Sequence, residues 1–328
     1  MRIRAAFGPR LAAAALAFVS CAALGQPKYP SKPVRLIAPF APGGLVDVLS
    51  RAVADKLKPA VGQPVIVDNR PGAGGNIGAS LVARAEPDGY TLLMSSAGIL
   101  TINQFLYAKM PFEPSGAFSP VTLVADMPML MVLNPGFPAR SVAEFLAYAK
   151  KPDAQVNFGS PGNGTTGHLG MEMLQAAARI RLTHVPYKSA AEAIAAVIGG
   201  QIQGAMDNPP TVLEHIRGGR LKAIAAAARA RLPQLPDVPT FNEAGLKGFE
   251  ASSWFGLVAP AKTPRAIIVR LNREIGLVLR DPEMVQRFAA LGARLSPGTA
   301  EEFADHIEAE RAKWEIIVKR ANIKLQDK

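Results

Sequence analysis

Apolar residues along the chain fall in short unbroken runs separated by segments of helical period. The run Val34–Ala38 and those at 65–67 and 90–96 read as strands, each followed by a Gly- or Pro-bearing turn. The first two turns lead into helix-period segments at 45–60 and 77–85. In the first of these Val46, Leu49, Val53 and Leu57 recur at steps of three and four, which puts them on one face. A longer apolar stretch, 121–133, opens a second alternating series. Its strands are expected at 156–158, 182–185, 202–206 and 221–226, and its helices at 168–178, 191–198 and 211–217. The closing part reads as mostly helical, over Arg265–Leu279, 282–291 and Ala300–Ala321. Strands that are apolar throughout bury both faces. The pattern therefore predicts an α/β fold in which mainly parallel sheets are flanked by helices.

Composition sharpens this picture. At 328 residues the chain has room for roughly two domains, at ~150 residues each. With 49% apolar and 19% charged residues it can bury a sizeable core, which excludes a chain disordered along its length. The one cysteine, Cys21, excludes a disulfide framework and a thiolate metal cage. Arg2, Arg4 and Arg10 precede an apolar run over 11–24 that ends in small residues, the pattern of a secretory signal peptide over residues 1–25. The run falls short of the ~20 residues that a membrane span needs. Cleavage after Gly25 would remove those three arginines and Cys21, lowering the formal net charge from +11 to +8. A rival reading takes Val19-Ser20-Cys21 as a lipoprotein signal that anchors the chain through Cys21, which Phe18 fits poorly. Either way the expected location is the periplasm.

Ligands of open parallel sheets bind outside the carboxyl ends of the strands. Four clusters of special residues fall there. The first is Phe40, Ala41, Pro42, Gly43 and Gly44. The second is Ser95 and Ser96, followed by Ala97-Gly98. The third runs from Gly159 and Ser160 through Gly162, Asn163, Gly164, Thr165 and Thr166 to Gly167. The fourth is Asp207-Asn208. If the two series form two lobes with facing strand ends, the clusters line one cleft. The first and third also precede helices, whose unpaired N–H groups and dipoles suit a carboxylate. Asp47, one turn into the first helix, favours that helix's dipole and is placed to cap N–H groups. His168, at a helix start, reads as a residue that holds its loop rather than as a catalyst. Asp207 is either a turn residue before Pro209-Pro210 or the partner of a ligand ammonium.

Other chemistry finds no support. The string GNGTTGHL from Gly162 has phosphate-loop spacing, but His168 stands where lysine is required and Leu169 where Ser or Thr holds magnesium. GAGGNIG from Gly72 places Ile77 at the third glycine of the dinucleotide fingerprint. His168, His184, His215 and His306 lack metal-ligand spacing, and no GxSxG nucleophile elbow surrounds a serine. Hence no metal, cofactor or catalytic residue is expected. The basic residues are scattered rather than gathered on a face or tail, which argues against nucleic acid as a partner.

Several strings together resemble one family. PVRLIAPFAPGGLVDVLSR, DNRPGAGGNIGAS, PDGYTLL, NFGSPGNGTTGHLGMEML, VPYKSAAEAI, GGQIQGAMDN, LPDVPTFNEAGLKGFEASSWFGLVAPAKTP and EEFADHIEAERAKW run in order from about Tyr29 to Leu325. They resemble the Bug proteins, the extracytoplasmic substrate-binding proteins of tripartite tricarboxylate transporters. The resemblance implies a two-lobed periplasmic-binding-protein fold, the type II "Venus flytrap", that closes over a small carboxylate. It implies backbone groups and ordered water as the binding elements, at 40–44 in one lobe and 160–168 in the other. The implied ligands are amino acids and nicotinate-like, citrate-like or aromatic dicarboxylic acids. The implied partners are membrane permease subunits, with the receptor itself a monomer. The lobes are expected over 26–125 with 229–328, and over 126–228. Val46, where Thr commonly precedes the Asp, and Ser189, where Gly commonly follows VPYK, depart from the family pattern. A sensor subunit presenting its ligand to a signalling receptor and an exported hydrolase of small acids are the competing classes. The second lacks an identifiable nucleophile with its base.

Overall fold

The computed structural model describes residues 29–321; the expected leader over 1–25, Cys21 included, lies outside them. The chain order is β1 (Val34–Ala38), α1 (Leu45–Val61), β2 (Val65–Asn69), α2 (Asn76–Ala83), β3 (Thr91–Ser96), α3 (Asn103–Leu106), β4 (Phe118–Pro128) and β5 (Leu130–Leu133). It continues α4 (Val142–Ala149), β6 (Asn157–Ser160), α5 (Thr166–Ala178), β7 (Thr183–Pro186), α6 (Ala190–Ile198), β8 (Gly204–Asp207), α7 (Pro209–Arg217) and β9 (Lys222–Ala226). Last come β10 (Ser252–Pro260), α8 (Arg265–Leu279), α9 (Pro282–Ala290), β11 (Arg294–Leu295) and α10 (Ala300–Ala321). Helix α1 buries the face its spacing predicts, Val46, Leu49, Val53 and Leu57. It stops where Gly62 turns left-handed (φ 71°) and returns its N–H to the Lys58 carbonyl.

The strands form two sheets, in the orders β11-β4-β10-β3-β1-β2 and β7-β6-β8-β5-β9, and helices cover both faces of each. In the first, α1, α8 and α9 pack on one face and α2 and α10 on the other. The central strands β1, β3, β5, β8 and β10 are buried on both sides, whereas the edge strands β2 and β7 are partly exposed. Pairing is more mixed than the pattern suggested. Parallel pairs join β1 to β2 and β3, and β6 to β7 and β8. Antiparallel pairs come from the strands that carry the chain between lobes: β10 inserts between β3 and β4, and β5 between β8 and β9. A crossing strand enters its sheet without the helix that a parallel crossover needs, so it runs against its neighbours.

The return to the first lobe also comes later than residue 229. Phe241 donates its N–H to Ala226 at 3.0 Å, and Phe241, Phe249 and Ala251 are buried in the second lobe's core with Phe145 and Phe158. Their aromatic surface keeps residues 227–251 on that lobe, and the chain rejoins the first sheet where Ser252 pairs with Pro128. The outgoing crossing likewise follows Asp126, which still pairs with Trp254 in the first sheet. Both crossings meet at Met129, whose N–H binds the Ala251 carbonyl (3.0 Å) and whose carbonyl takes the Ala227 N–H (2.8 Å).

Candidate functional site

A cavity of about 440 Å³ lies between the lobes, at the carboxyl ends of β1, β3, β6 and β8. That size suits a small metabolite. Four helices begin on its wall: α1, α5, α6 and α7. Their capping separates them chemically. At α6, Ser189 Oγ accepts the Glu192 N–H (3.2 Å) and Glu192 accepts the Lys188 N–H (3.3 Å), so a capping box takes up one first-turn donor and the amide before the cap. At α7 the first two positions are Pro209 and Pro210, which have no N–H. Gly44 and Thr165, which precede α1 and α5, make no side-chain cap. Those two helices therefore present free amides and the positive ends of their dipoles to the cavity.

The first loop is held from within its helix. The Asp47 carboxylate, 4% exposed, accepts the N–H of Gly43 (3.0 Å) and of Asn69 Nδ2 (2.9 Å) and pairs with Arg51 (2.9 Å). Burial opposes ionisation of Asp47, but Arg51 and the Gly43 and Asn69 donors outweigh it and hold the carboxyl below its usual range. Gly43 sits at φ 80°, a conformation that a side chain resists.

The second loop rests on a stack of rings. His168 lies face to face with His184, ring centroids 4.0 Å apart, and His184 in turn stacks on Phe158 at 4.9 Å. Gly164 donates its N–H to His168 Nδ1 (3.2 Å), while Ser160 Oγ lies 2.7 Å from His184 Nε2 and accepts the Gly162 N–H (3.2 Å). Burial, aided by the neighbouring imidazole, pushes His168 down to about 3, and burial pushes His184 down to about 4. Both rings are neutral near pH 7.

Of the residues singled out in the sequence, Phe40, Ala41, Pro42, Gly43, Gly44, Ser96, Thr165, Thr166 and Asp207 line the cavity. Gly98, Gly167 and Asn208 of the same clusters line it too, as do Val46 and Ser189, which the sequence marks only as departures from the family pattern, and the remaining ones stand behind the wall. Asp47 and His168 hold their loops as described. Ser160 and Gly162 belong to the turn beneath α5, Ser95 is fully buried, and a Cβ on Gly159 would meet Ile202. Asn163 and Gly164 join the lobes: a Cβ on Gly74 would lie 2.9 Å from the Asn163 carbonyl, and one on Gly98 3.0 Å from that of Gly164. Sequence reasoning missed Lys188, Ser189 and Glu192, although Ser189-x-x-Glu192 carries a capping-box signature. It also missed Met129, Ser253 and Phe255, which reach the cavity on the crossing segments and leave no local signal. Asp207, 2% exposed, has Oδ1 on the Asn208 N–H (2.7 Å) and no hydrogen-bond partner for Oδ2 among the described residues. Those residues include no His, Cys, Asp and Glu group fit for a metal ion and no helix long and apolar enough to cross a membrane.

A family model described as "Tripartite tricarboxylate transporter family receptor" matches residues 49–323. The Bordetella pertussis protein BugT is 36% identical over 322 residues, 97% of this chain and 99% of BugT. Among solved structures, Rpa4515 of R. palustris, with adipate, superposes with a TM-score of 0.87 at 34% identity, covering 90% of this chain and all of that one. MatC of Rhodopseudomonas palustris, with bound malate, gives 0.84 at 32% identity, covering 88% of this chain and all of MatC.

Proposed function

The chain belongs to the tripartite tricarboxylate transporter family of receptors, and on that premise we propose that it captures a small di- or tricarboxylate between its lobes for a membrane permease. The observation that carries this reading is the pair of uncapped helix beginnings, one from each lobe, that open on one cavity. One carboxylate of the ligand accepts N–H groups at the starts of α1 and α5, and the remainder lies against the apolar wall of Phe40, Met129 and Phe255. The ligands in the Rpa4515 and MatC structures support an acid of this class.

The lobes turn about the paired crossings at Met129 and Ala251, closing over the ligand and excluding water. The closed form is the one a permease would read, which gives transport its direction. The receptor acts as a monomer in the periplasm after the leader over 1–25 is removed.

The test is a thermal-shift screen against mono-, di- and tricarboxylates and amino acids, followed by calorimetry of the hits. A saturating rise in melting temperature with a dicarboxylate or tricarboxylate is expected, without turnover of the acid. No shift with any acid, or steady product formation, would overturn the reading.

A further inference from the structure

We propose that Asp207 meets the bound anion as the neutral acid, donating its carboxyl O–H to a ligand carboxylate oxygen, so that capture of the anion takes up one proton. The inference rests on the reading of this cavity as a carboxylate site.

Geometry brings the two carboxyl groups together. Strand β8 ends at Asp207 on the cavity wall, and α5 begins against that strand end: a Cβ on Gly167 would lie 2.6 Å from the Met206 carbonyl. A carboxylate accepting the amides of α5 therefore sits beside Asp207. One Asp207 oxygen is fixed by the Asn208 N–H, and the other has no partner among the described residues. Two carboxylates facing each other in an enclosed site cannot both stay charged.

Among the described residues no buried cation beside Asp207 relieves the conflict. Helix α5 contributes His168, neutral through burial, and Glu172, whose pKa burial raises. Helix α7 contributes the Thr211 hydroxyl, and its Pro209 and Pro210 lack N–H groups. The segment entering β5 supplies Met129 and Leu130, and β10 supplies Ser253. Lys188 and Glu192, at the start of α6, are exposed on the rim and carry opposite charges. Burial pushes Asp207 up to about 7 against the pull of the Asn208 N–H and Thr211, so the proton is within reach of solution near neutrality. It comes from solvent and stays on Asp207, and no covalent bond changes.

The test is calorimetry with adipate and with malate in buffers of different ionisation enthalpy from pH 6 to pH 8, on the wild type and on Asp207→Asn. The wild type is expected to take up close to one proton per ligand at pH 8 and to bind about tenfold more weakly there than at pH 6. Asp207→Asn, whose amide is a permanent donor, should exchange no proton and bind more tightly than the wild type at pH 8. Heats that do not depend on buffer, with a flat pH profile, overturn the inference and leave the carboxylate site standing. Proton release, which would mean that Asp207 is driven to its charged form on binding, does the same. No heat with any tested acid overturns both. If the variant does not fold, the wild-type buffer series alone decides.

Discussion

The carboxylate of Asp47 reaches back along α1 to accept the amide of Gly43 at 3.0 Å, so the helix itself fixes the loop that opens it. Removing that acceptor frees the loop and takes a hydrogen bond from each of Asn69 and Arg51, which keep their bond to each other (3.0 Å) and that of Asn69 to the Phe40 carbonyl (3.1 Å). Asp47→Ala is expected to lower stability by about 1–3 kcal/mol and to weaken ligand binding, read by urea unfolding and calorimetry. The sign of the pH effect follows from the lowered pKa. The stabilisation is present above the unfolded carboxyl value of roughly 4 and is lost as pH falls through the folded value. An unchanged unfolding midpoint in the variant would refute this role.

The stacked His168 and His184 act in the same direction, but at higher pH. Their folded values of about 3 and about 4 lie below the unfolded value of roughly 6.5. The unfolded chain therefore binds protons that the folded chain refuses, and stability falls as pH drops below 6.5. For His168 alone the loss at pH 5 amounts to about 2 kcal/mol. Urea midpoints at pH 7 and pH 5 check it, and His184→Gln should flatten the difference. A variant as acid-sensitive as the wild type would count against the stack as the cause.

Two glycines with similar backbone geometry predict different outcomes. Gly43 has φ 80° with nothing within 4 Å of a built Cβ, whereas Gly164 has φ 78° and faces the Asn103 side chain of the other lobe. Gly43→Ala should cost only the left-handed strain, ~1–2 kcal/mol of stability. Gly164→Ala adds a collision between lobes, so it should also hold the molecule open. Small-angle scattering with saturating ligand is the readout, and equal compaction of the two variants would contradict the contact.

Glu310 sits between two buried indoles, accepting Trp254 Nε1 at 3.2 Å and Trp314 Nε1 at 3.0 Å. Glu310→Leu leaves both donors buried without an acceptor and should destabilise the first lobe by about 1–3 kcal/mol per orphaned group. Glu310→Gln, which keeps one acceptor oxygen, should lose less. Denaturant unfolding followed by tryptophan fluorescence ranks the three proteins.

What could be read in advance was whatever a short stretch of chain decides for itself. The α1 face, the strand runs and the glycine loops at their carboxyl ends depend on local spacing. The antiparallel β5 and β10 do not, because their direction follows from where the chain crosses between sheets. For the same reason Ser253 and Phe255 reach the cavity unannounced, and Phe241 and Phe249 hold residues 227–251 on the second lobe. The positions of Asp47 and His168 near a helix start suggest a cap and a loop-holding residue, and the side-chain geometry supplies the partners, the Gly43 and Gly164 amides.

In the proposed binding mode the anchoring groups at the starts of α1 and α5 are peptide amides, and point mutation cannot delete a peptide amide except by introducing proline. Natural variation at Lys188 on the rim or Phe255 on the apolar wall would thus retune which acid is preferred while the grip on the acid itself is inherited intact. Descendants of one such gene are able to diversify their diets by a few substitutions, without passing through an ancestor that holds nothing.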